Sequence, residues 1–135
     1  MTTWLQMANA VRSRWDTEVT TGLSLPTQHD NAEFTEPTTK WCRLTLQPAA
    51  TDQLELGAAP SRTFRTMGRA VAMIFLPLAS GDALALSLAD SIAALFRAQT
   101  VGGVTYFAPS IAQIGRSGEW WQLNVTIPFY TEALA

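Results

Sequence analysis

One segment, residues 62–76, restricts the possible folds of this chain more than any other. It has the pattern of a long strand. The first half carries Arg62, Arg65 and Arg69, whereas the second half, Ala70 to Leu76, is apolar at every position. A strand without a polar face must be covered on both sides. The sequence therefore predicts cover either by helices of the same domain or by another subunit.

A second segment, Trp120 to Tyr130, shows the alternation of a half-buried strand. Its apolar face comprises Trp121, Leu123, Val125, Ile127 and Phe129. Since Trp120 and Trp121 are consecutive, their rings point to opposite faces of the sheet, and only one can enter the core. The other ring is expected either to pack under a loop of the same chain or to lie at an interface.

Two segments have the periodicity of amphipathic helices, residues 3–19 and residues 82–97. Trp41 to Leu46 alternates like a strand that Pro48 would end, and Gln53 to Leu56 is a candidate for a further short strand. This order of elements predicts an α+β fold. We expect a mostly antiparallel four- to five-stranded sheet with two main helices packed on one face, in a single domain over residues 1–135.

Turns and loops separate these elements. Gly115 to Gly118 is expected to form the hairpin turn before the last strand, and Gly102-Gly103 is expected to form a plain turn rather than a phosphate-binding loop. Residues 20–40 are rich in Thr, Asn, Asp, Glu and Pro. Such a composition predicts a long loop that is functional, or disordered until a partner binds.

The composition bears on function. Charged residues make up only 15% of the chain and the formal net charge is -2, so the sequence offers no basic patch for wrapping a nucleic-acid duplex. Low surface charge favours a subunit of an assembly. No run of 18 apolar residues and no signal-peptide pattern is present, so we expect a soluble intracellular protein with no membrane partner.

The sequence gives little support for catalysis or metal binding. The chain has one cysteine, Cys42, and one histidine, His29. A Cys42/His29 pair is conceivable, but a buried strand cysteine and a solvated loop histidine are the simpler interpretation. The carboxylates lack the spacing of zinc or calcium ligands. We therefore expect no catalytic residue, no metal site and no cofactor.

Interface residues are better indicated. Eight of the nine basic residues are arginines and five residues are tryptophans, and these two side chains are enriched at interface hot spots. The arginines of the long strand are expected either to be solvated or to pair with carboxylates of a neighbouring copy. The candidate interface residues are Arg62, Phe64, Arg65, Arg69, Arg116, Trp120 and Tyr130.

A further set of residues, spread over positions 4–130, carries a resemblance to a known family. The set comprises Asp30-Asn31, Phe34, Pro37, Trp41, Arg43-Leu44-Thr45, Gly68, Ile74 to Pro77, Gly81, Ala89-Asp90, Phe96, Gly118 to Trp120, Asn124-Val125 and Ile127 to Phe129. In this order it resembles the phage tail terminator family of long-tailed, non-contractile phages. No single motif in the set is diagnostic by itself.

The resemblance implies a structural subunit of the virion, in the neck region of the tail. Subunits would form a hexameric ring that caps the tail tube, stops its polymerisation and presents a surface for head joining. The implied partners are further copies of the chain, the tail tube protein and a head-tail connector or neck protein. DNA would pass through the ring without sequence-specific binding. The alternatives are a connector or neck protein itself, or a small-ligand-binding α+β domain.

Overall fold

The elements follow the chain in an order that places two helices against one sheet. The structure, a computed structural model, describes residues 4–53, 63–79 and 81–134, with side chains at 4–49, 65–79 and 81–131. The helices are α1 (Trp4–Trp15), which continues into a π-helical segment (Asp16–Thr21), and α2 (Ala83–Phe96). The strands are β1 (Thr27–His29), β2 (Trp41–Gln53), β3 (Thr63–Pro77), β4 (Thr100–Val101), β5 (Val104–Tyr106), β6 (Ser110–Ser117) and β7 (Trp120–Leu134).

The strands of the described residues form one mixed sheet with the order β1-β2-β3-β7-β5-β4. β1 pairs with β2 in parallel, and the other pairs are antiparallel. On the side of β7 away from β3, β6 pairs along the first half of β7 and β5 pairs near its end. The α+β class with two helices is as predicted. The predicted four- to five-stranded antiparallel sheet is not confirmed in detail, because β1, β4 and β5 add strands of three, two and three residues, which are too short to show a period in the sequence.

The core lies between one face of the sheet and the two helices. Residues directly opposite each other in an antiparallel pair share a face, and side chains alternate along each strand. The helix-facing side is almost fully buried and consists of Cys42, Leu44, Ala70, Ala72, Ile74, Leu76, Leu123, Val125, Ile127 and Phe129. The helices contribute Met7, Val11 and Trp15 from α1, and Ala85, Leu88, Ala89, Ile92 and Phe96 from α2.

Strand β2 continues beyond Pro48, which corrects the prediction that this proline ends it. The N–H groups of Cys42 and Leu46 donate away from β3, to the carbonyl of Pro26 and to the carboxylate of Asp30. By alternation Pro48 also faces away from β3, so its missing N–H removes no bond from the ladder. The predicted second strand at Gln53 to Leu56 lies mostly outside the described residues.

The segment 20–40 is more ordered than its composition predicted. It contains the end of the π-helical segment and β1, whose residue Thr27 joins three elements. The Thr27 hydroxyl accepts hydrogen bonds from Trp15 Nε1 at 2.9 Å and from Thr20 Oγ1 at 3.0 Å, and it lies 3.2 Å from Cys42 Sγ. These contacts anchor β1 against α1 and β2, so the segment predicted as a long loop contains a short strand.

Two hairpin turns depend on glycine. Gly102 and Gly103 both have positive φ and join β4 to β5 as a two-residue turn, as the sequence predicted. The turn before β7 is formed by Gly118 and Glu119, with φ of 62° at Gly118, so it begins at the last residue of the predicted range. No helix of the described residues is long and apolar enough to cross a membrane.

Candidate assembly interface

Among the described residues, no helix covers the side of the sheet opposite α1 and α2, and we refer to this side as the open face. Strand registers place alternate residues of β2, β3 and β7 on it. Most of its side chains are half-buried, and Arg43 and Arg69 are exposed. The open face carries Trp41, Arg43, Gln47, Arg65, Met67, Arg69, Val71, Met73, Phe75, Trp120, Gln122, Asn124, Thr126 and Tyr130. The apolar run of β3 is therefore covered by helices on one side only.

One end of the open face is an aromatic cluster. Trp41 stacks on its β3 partner Phe75 with ring centroids 4.4 Å apart, and Phe34 lies 5.4 Å from Trp41. The Arg43 guanidinium lies 5.8 Å from the Trp41 ring and 6.0 Å from the Phe75 ring. Trp41 and Phe75 are buried although they face away from the helices. The chain itself therefore covers this end of the face.

Trp120 belongs to the same cluster. Its ring meets Trp41 edge to face at 6.0 Å, and its Nε1 donates a hydrogen bond to Glu36 Oε1 at 2.6 Å. Of the two environments that the sequence left open for this tryptophan, the structure shows packing under the segment 20–40. Trp121 lies on the opposite side of the sheet, near Pro77 and Asp82 at the start of α2. Each ring is half-buried within the chain.

The other end of the open face carries the arginines of β3. The Arg65 guanidinium lies 4.7 Å from the centroid of the Tyr130 ring, and Phe107 contacts Tyr130 from the other side at 5.2 Å. Arg69 Nε donates to Gln47 Oε1 at 2.6 Å. This end lies about 33 Å from Trp120, at 3.3 Å per residue along the ten steps of β7.

The predicted interface residues are thus partly brought together. Arg65, Arg69 and Tyr130 share one end of the open face, and Trp120 lies at its other end. Arg116 does not join them, because it pairs with Trp121 across the β6–β7 hairpin and its Nε donates to the carbonyl of Gly118 at 3.2 Å. Arg62 lies outside the described residues, and the side chain of Phe64 is not described.

Sequence reasoning missed the contribution of Arg43. This arginine lies between the arginine end and the aromatic end, and its guanidinium contacts the aromatic rings. The alternation of Cys42 and Leu44 with Trp41 and Arg43 was a sufficient signal. Met67 and Met73 were also missed, since nothing in an apolar run shows which residues remain uncovered.

The two groups considered for catalysis do not meet. His29 Nε2 lies 2.9 Å from Asp16 Oδ1, while Cys42 Sγ faces Thr27. Burial raises the pKa of the Cys42 thiol from 9.0 to about 12, so the thiol is protonated at neutral pH. In the part of the chain that the structure describes, no three His, Cys, Asp or Glu side chains group closely enough to hold a metal ion.

Comparison with known proteins identifies the family. A family model described as phage tail terminator protein matches residues 6–129. This chain belongs to the phage tail terminator family. The resemblance read from the sequence is thereby confirmed, and the tail terminator family is one of viral structural proteins that form part of the phage tail and interact with other tail components.

The fold of this tail terminator protein has solved counterparts. One solved protein structure matches with a TM-score of 0.67 and 20% sequence identity, covering 100% of this chain and 99% of the other. At this identity the match shows the shared fold and no more. No curated protein sequence matches the chain.

Proposed function

We propose that this single-domain subunit forms a hexameric ring that caps the phage tail tube, stops its polymerisation and provides the surface for head joining. Within the virion the ring would occupy the neck, between the tube and a connector, after assembly in the host cytoplasm. DNA would pass through its hole without sequence-specific binding. The subunit acts through shape and contacts, with no cofactor and no chemical step.

The observation that carries this proposal is the open face. A strand that is apolar from Ala70 to Leu76 receives helices on one side only, while Val71 and Met73 on its other side are half-buried. The arginine end adds Arg65 and Arg69, stacked or hydrogen-bonded across the sheet. Guanidinium groups held beside apolar and aromatic surface are the usual composition of a protein interface.

A closed ring needs two different patches on each subunit, since a heterologous contact closes by rotation. The open face supplies one patch. Its described side chains carry positive charge at Arg43, Arg65 and Arg69, and the strand registers place Asp52 and Glu132 opposite Arg65. A complementary patch on the neighbouring copy would carry carboxylates, because opposite potentials fix the register of two docking surfaces.

The proposal is tested with Arg65→Glu/Arg69→Glu. Purified wild-type chain is expected to show a mass near six copies by size-exclusion chromatography with light scattering, and to shorten tubes when added to polymerising tail tube protein. The double variant is expected to lose both properties while keeping the wild-type circular dichroism spectrum. A charge-reversed control, Arg97→Glu, alters an exposed residue outside the open face and should still assemble.

Two results would contradict the proposal. If the chain stayed monomeric at every concentration, the proposed ring would be contradicted. A ring that forms normally but leaves tube length unchanged would remove the capping role, and it would favour a connector or neck protein instead.

A further inference from the structure

Two edges of the sheet, that of β2 and that of β6, differ in whether their outward backbone groups have hydrogen-bond partners. At the outer side of β2, the Cys42 N–H donates to the carbonyl of Pro26 at 2.8 Å and the Leu46 N–H donates to Asp30 Oδ2 at 3.1 Å. The next outward position is Pro48, which has no N–H. The chain therefore satisfies or removes the donors of this edge by itself as far as Pro48, which is a common protection of sheet edges.

Within the described residues, no hydrogen bond protects the outer edge of β6 in this way. Phe107 N–H donates to the carbonyl of Pro128 at 2.9 Å, so the even-numbered backbone groups of β7 point toward β5 and β6. In β6, the backbone groups of residues opposite even-numbered β7 residues, such as Ala112 opposite Asn124, therefore point toward β7. The backbone groups that point outward are those of Ile111, Gln113 and Arg116. In the described structure β6 pairs with β7 alone.

The pairing of β6 is irregular between Gln113 and Gly115, and a bulge is one of the usual guards of an edge strand, but its side chains supply few others. Residues 110–115 carry no charge, and Ile111 and Ile114 are 43% and 53% exposed. Edge strands of soluble proteins are normally blunted by lysine, proline or inward-pointing charges. An uncharged edge with two exposed isoleucines has the features of a strand that accepts another strand.

The same chain contains a segment suited to pair with this edge. Residues 32–37 belong to no helix or strand, and no backbone hydrogen bond of theirs is seen within the described residues. Between positions 30 and 39 there are three carboxylates and no basic residue. Asp30 and Glu36 accept hydrogen bonds within the chain, and Glu33 is exposed. The single charge of residues 110–118 is that of Arg116. In a strand conformation these six residues would span about 20 Å, within the roughly 26 Å of β6.

We propose that the outer edge of β6 binds residues 32–37 of a second copy of this chain, so that one sheet continues from subunit to subunit. This proposal rests on the proposed ring for the presence of a second copy. The edge and the acidic segment are different patches of one subunit, as a cyclic assembly requires. Backbone hydrogen bonds would supply affinity, and pairing of Arg116 with a carboxylate would favour one register.

Amide hydrogen exchange on the wild-type chain tests this pairing without any substitution. Exchange is measured on dilute monomer and on concentrated, assembled protein. We expect slower exchange in the assembly at Ile111, Gln113 and Arg116, and also within residues 32–37. A ring in which either segment exchanges as fast as in the monomer overturns the pairing but leaves the ring intact. A chain that never assembles contradicts the proposed function as well, so the two failures are distinguishable.

A matched pair of variants gives a second test. Gln113→Pro removes one outward N–H and leaves the bonds of Ala112 to β7 in place, whereas Gln113→Thr keeps the N–H. The proline variant is expected to associate about tenfold more weakly than wild type, and the threonine variant normally. Circular dichroism of the dilute variants checks the fold. Equal association of a folded Gln113→Pro variant and wild type would overturn the proposal.

Discussion

At the residue scale, a buried polar network surrounds the one cysteine. Trp15 Nε1 donates to the Thr27 hydroxyl, which in turn lies beside Cys42 Sγ. Both Trp15 and Cys42 are fully buried. The Thr27 hydroxyl accepts a hydrogen bond from the indole N–H, and burial of that N–H without a partner would cost about 1–3 kcal/mol. The network therefore stabilises the packing of β1 against α1, whereas burial raises the pKa of the thiol and accounts for its low expected reactivity.

The raised pKa of Cys42 predicts an alkaline loss of stability. Burial raises the pKa of this thiol from 9.0 to about 12. The buried, protonated thiol contributes its full stabilisation below pH 9. This stabilisation is lost as the pH rises toward 12, because the thiol ionises at lower pH in the unfolded chain than in the folded one. Urea unfolding of Cys42→Ala between pH 8 and pH 11 should show a flatter pH dependence than wild type.

Tyr106 supplies the control for this measurement. Burial also raises the pKa of its phenol, from 10.0 to about 12. Tyr106→Phe should therefore reduce the slope only above about pH 10, where the unfolded phenol ionises. If the Cys42→Ala profile were as steep as that of wild type between pH 9 and pH 10, the thiol would not be the group responsible.

At the element scale, Arg14 joins the two helices. Its Nη2 donates to the carbonyl of Leu95 at 2.8 Å, at the end of α2, and its Nη1 contacts Glu18 at 3.1 Å. The guanidinium also lies 5.7 Å from the Phe96 ring. A cation beside the last carbonyls of a helix satisfies acceptors that have no partner within the helix. The C-terminal end of α2 is thereby held against α1.

Replacement of this arginine should loosen the helix layer. Arg14→Met keeps the aliphatic packing but removes the donors, and we expect the free energy of unfolding to fall by about 1–3 kcal/mol. Glu18→Gln is the matched control, since it weakens the ion pair and leaves the bond to Leu95. Chemical denaturation of both variants checks the difference. Equal stability of Arg14→Met and Glu18→Gln would show that the contact with α2 contributes nothing.

At the scale of the whole molecule, the consecutive residues Trp120 and Trp121 pack on opposite faces of the sheet. Trp121 supports the start of α2 on the helix side, whereas Trp120 holds the segment 20–40 over the open face through Glu36. Trp121→Ala is expected to lower the free energy of unfolding by about 2 kcal/mol, the scale for a partly buried aromatic side chain. Trp120→Ala should instead weaken assembly more than stability.

Thermal unfolding and light scattering on the same samples separate these two effects. The reason is that Trp120 holds the acidic segment of its own chain, which we propose binds the β6 edge of a neighbouring copy. Loss of the Trp120 side chain therefore alters an interface more than the core. Trp120→Phe keeps an aromatic ring at this position but not the hydrogen bond to Glu36. Its strength of assembly should lie between those of wild type and Trp120→Ala. Equal losses of melting temperature with normal oligomers in both alanine variants would contradict this division.

Periodicity in the sequence was enough to predict the principal elements, and the family was indicated separately, by a resemblance. The alternation from Trp120 to Phe129 and the stripe of α2 were confirmed, because apolar spacing reports directly which face is buried. The ordered residues over positions 4–130 indicated the tail terminator family, which was confirmed over residues 6–129. These features depend on local pattern and need no knowledge of distant contacts.

Only the tertiary structure decided which surfaces remain uncovered. β1 forms because Thr27 is held between Trp15 and Cys42, and β2 passes Pro48 because that residue faces outward. The cover of Trp120 by Glu36 joins residues 84 positions apart. Such contacts depend on how strands and helices meet in space, so local spacing cannot contain them. The open face and the outer edge of β6 follow from the same long-range packing.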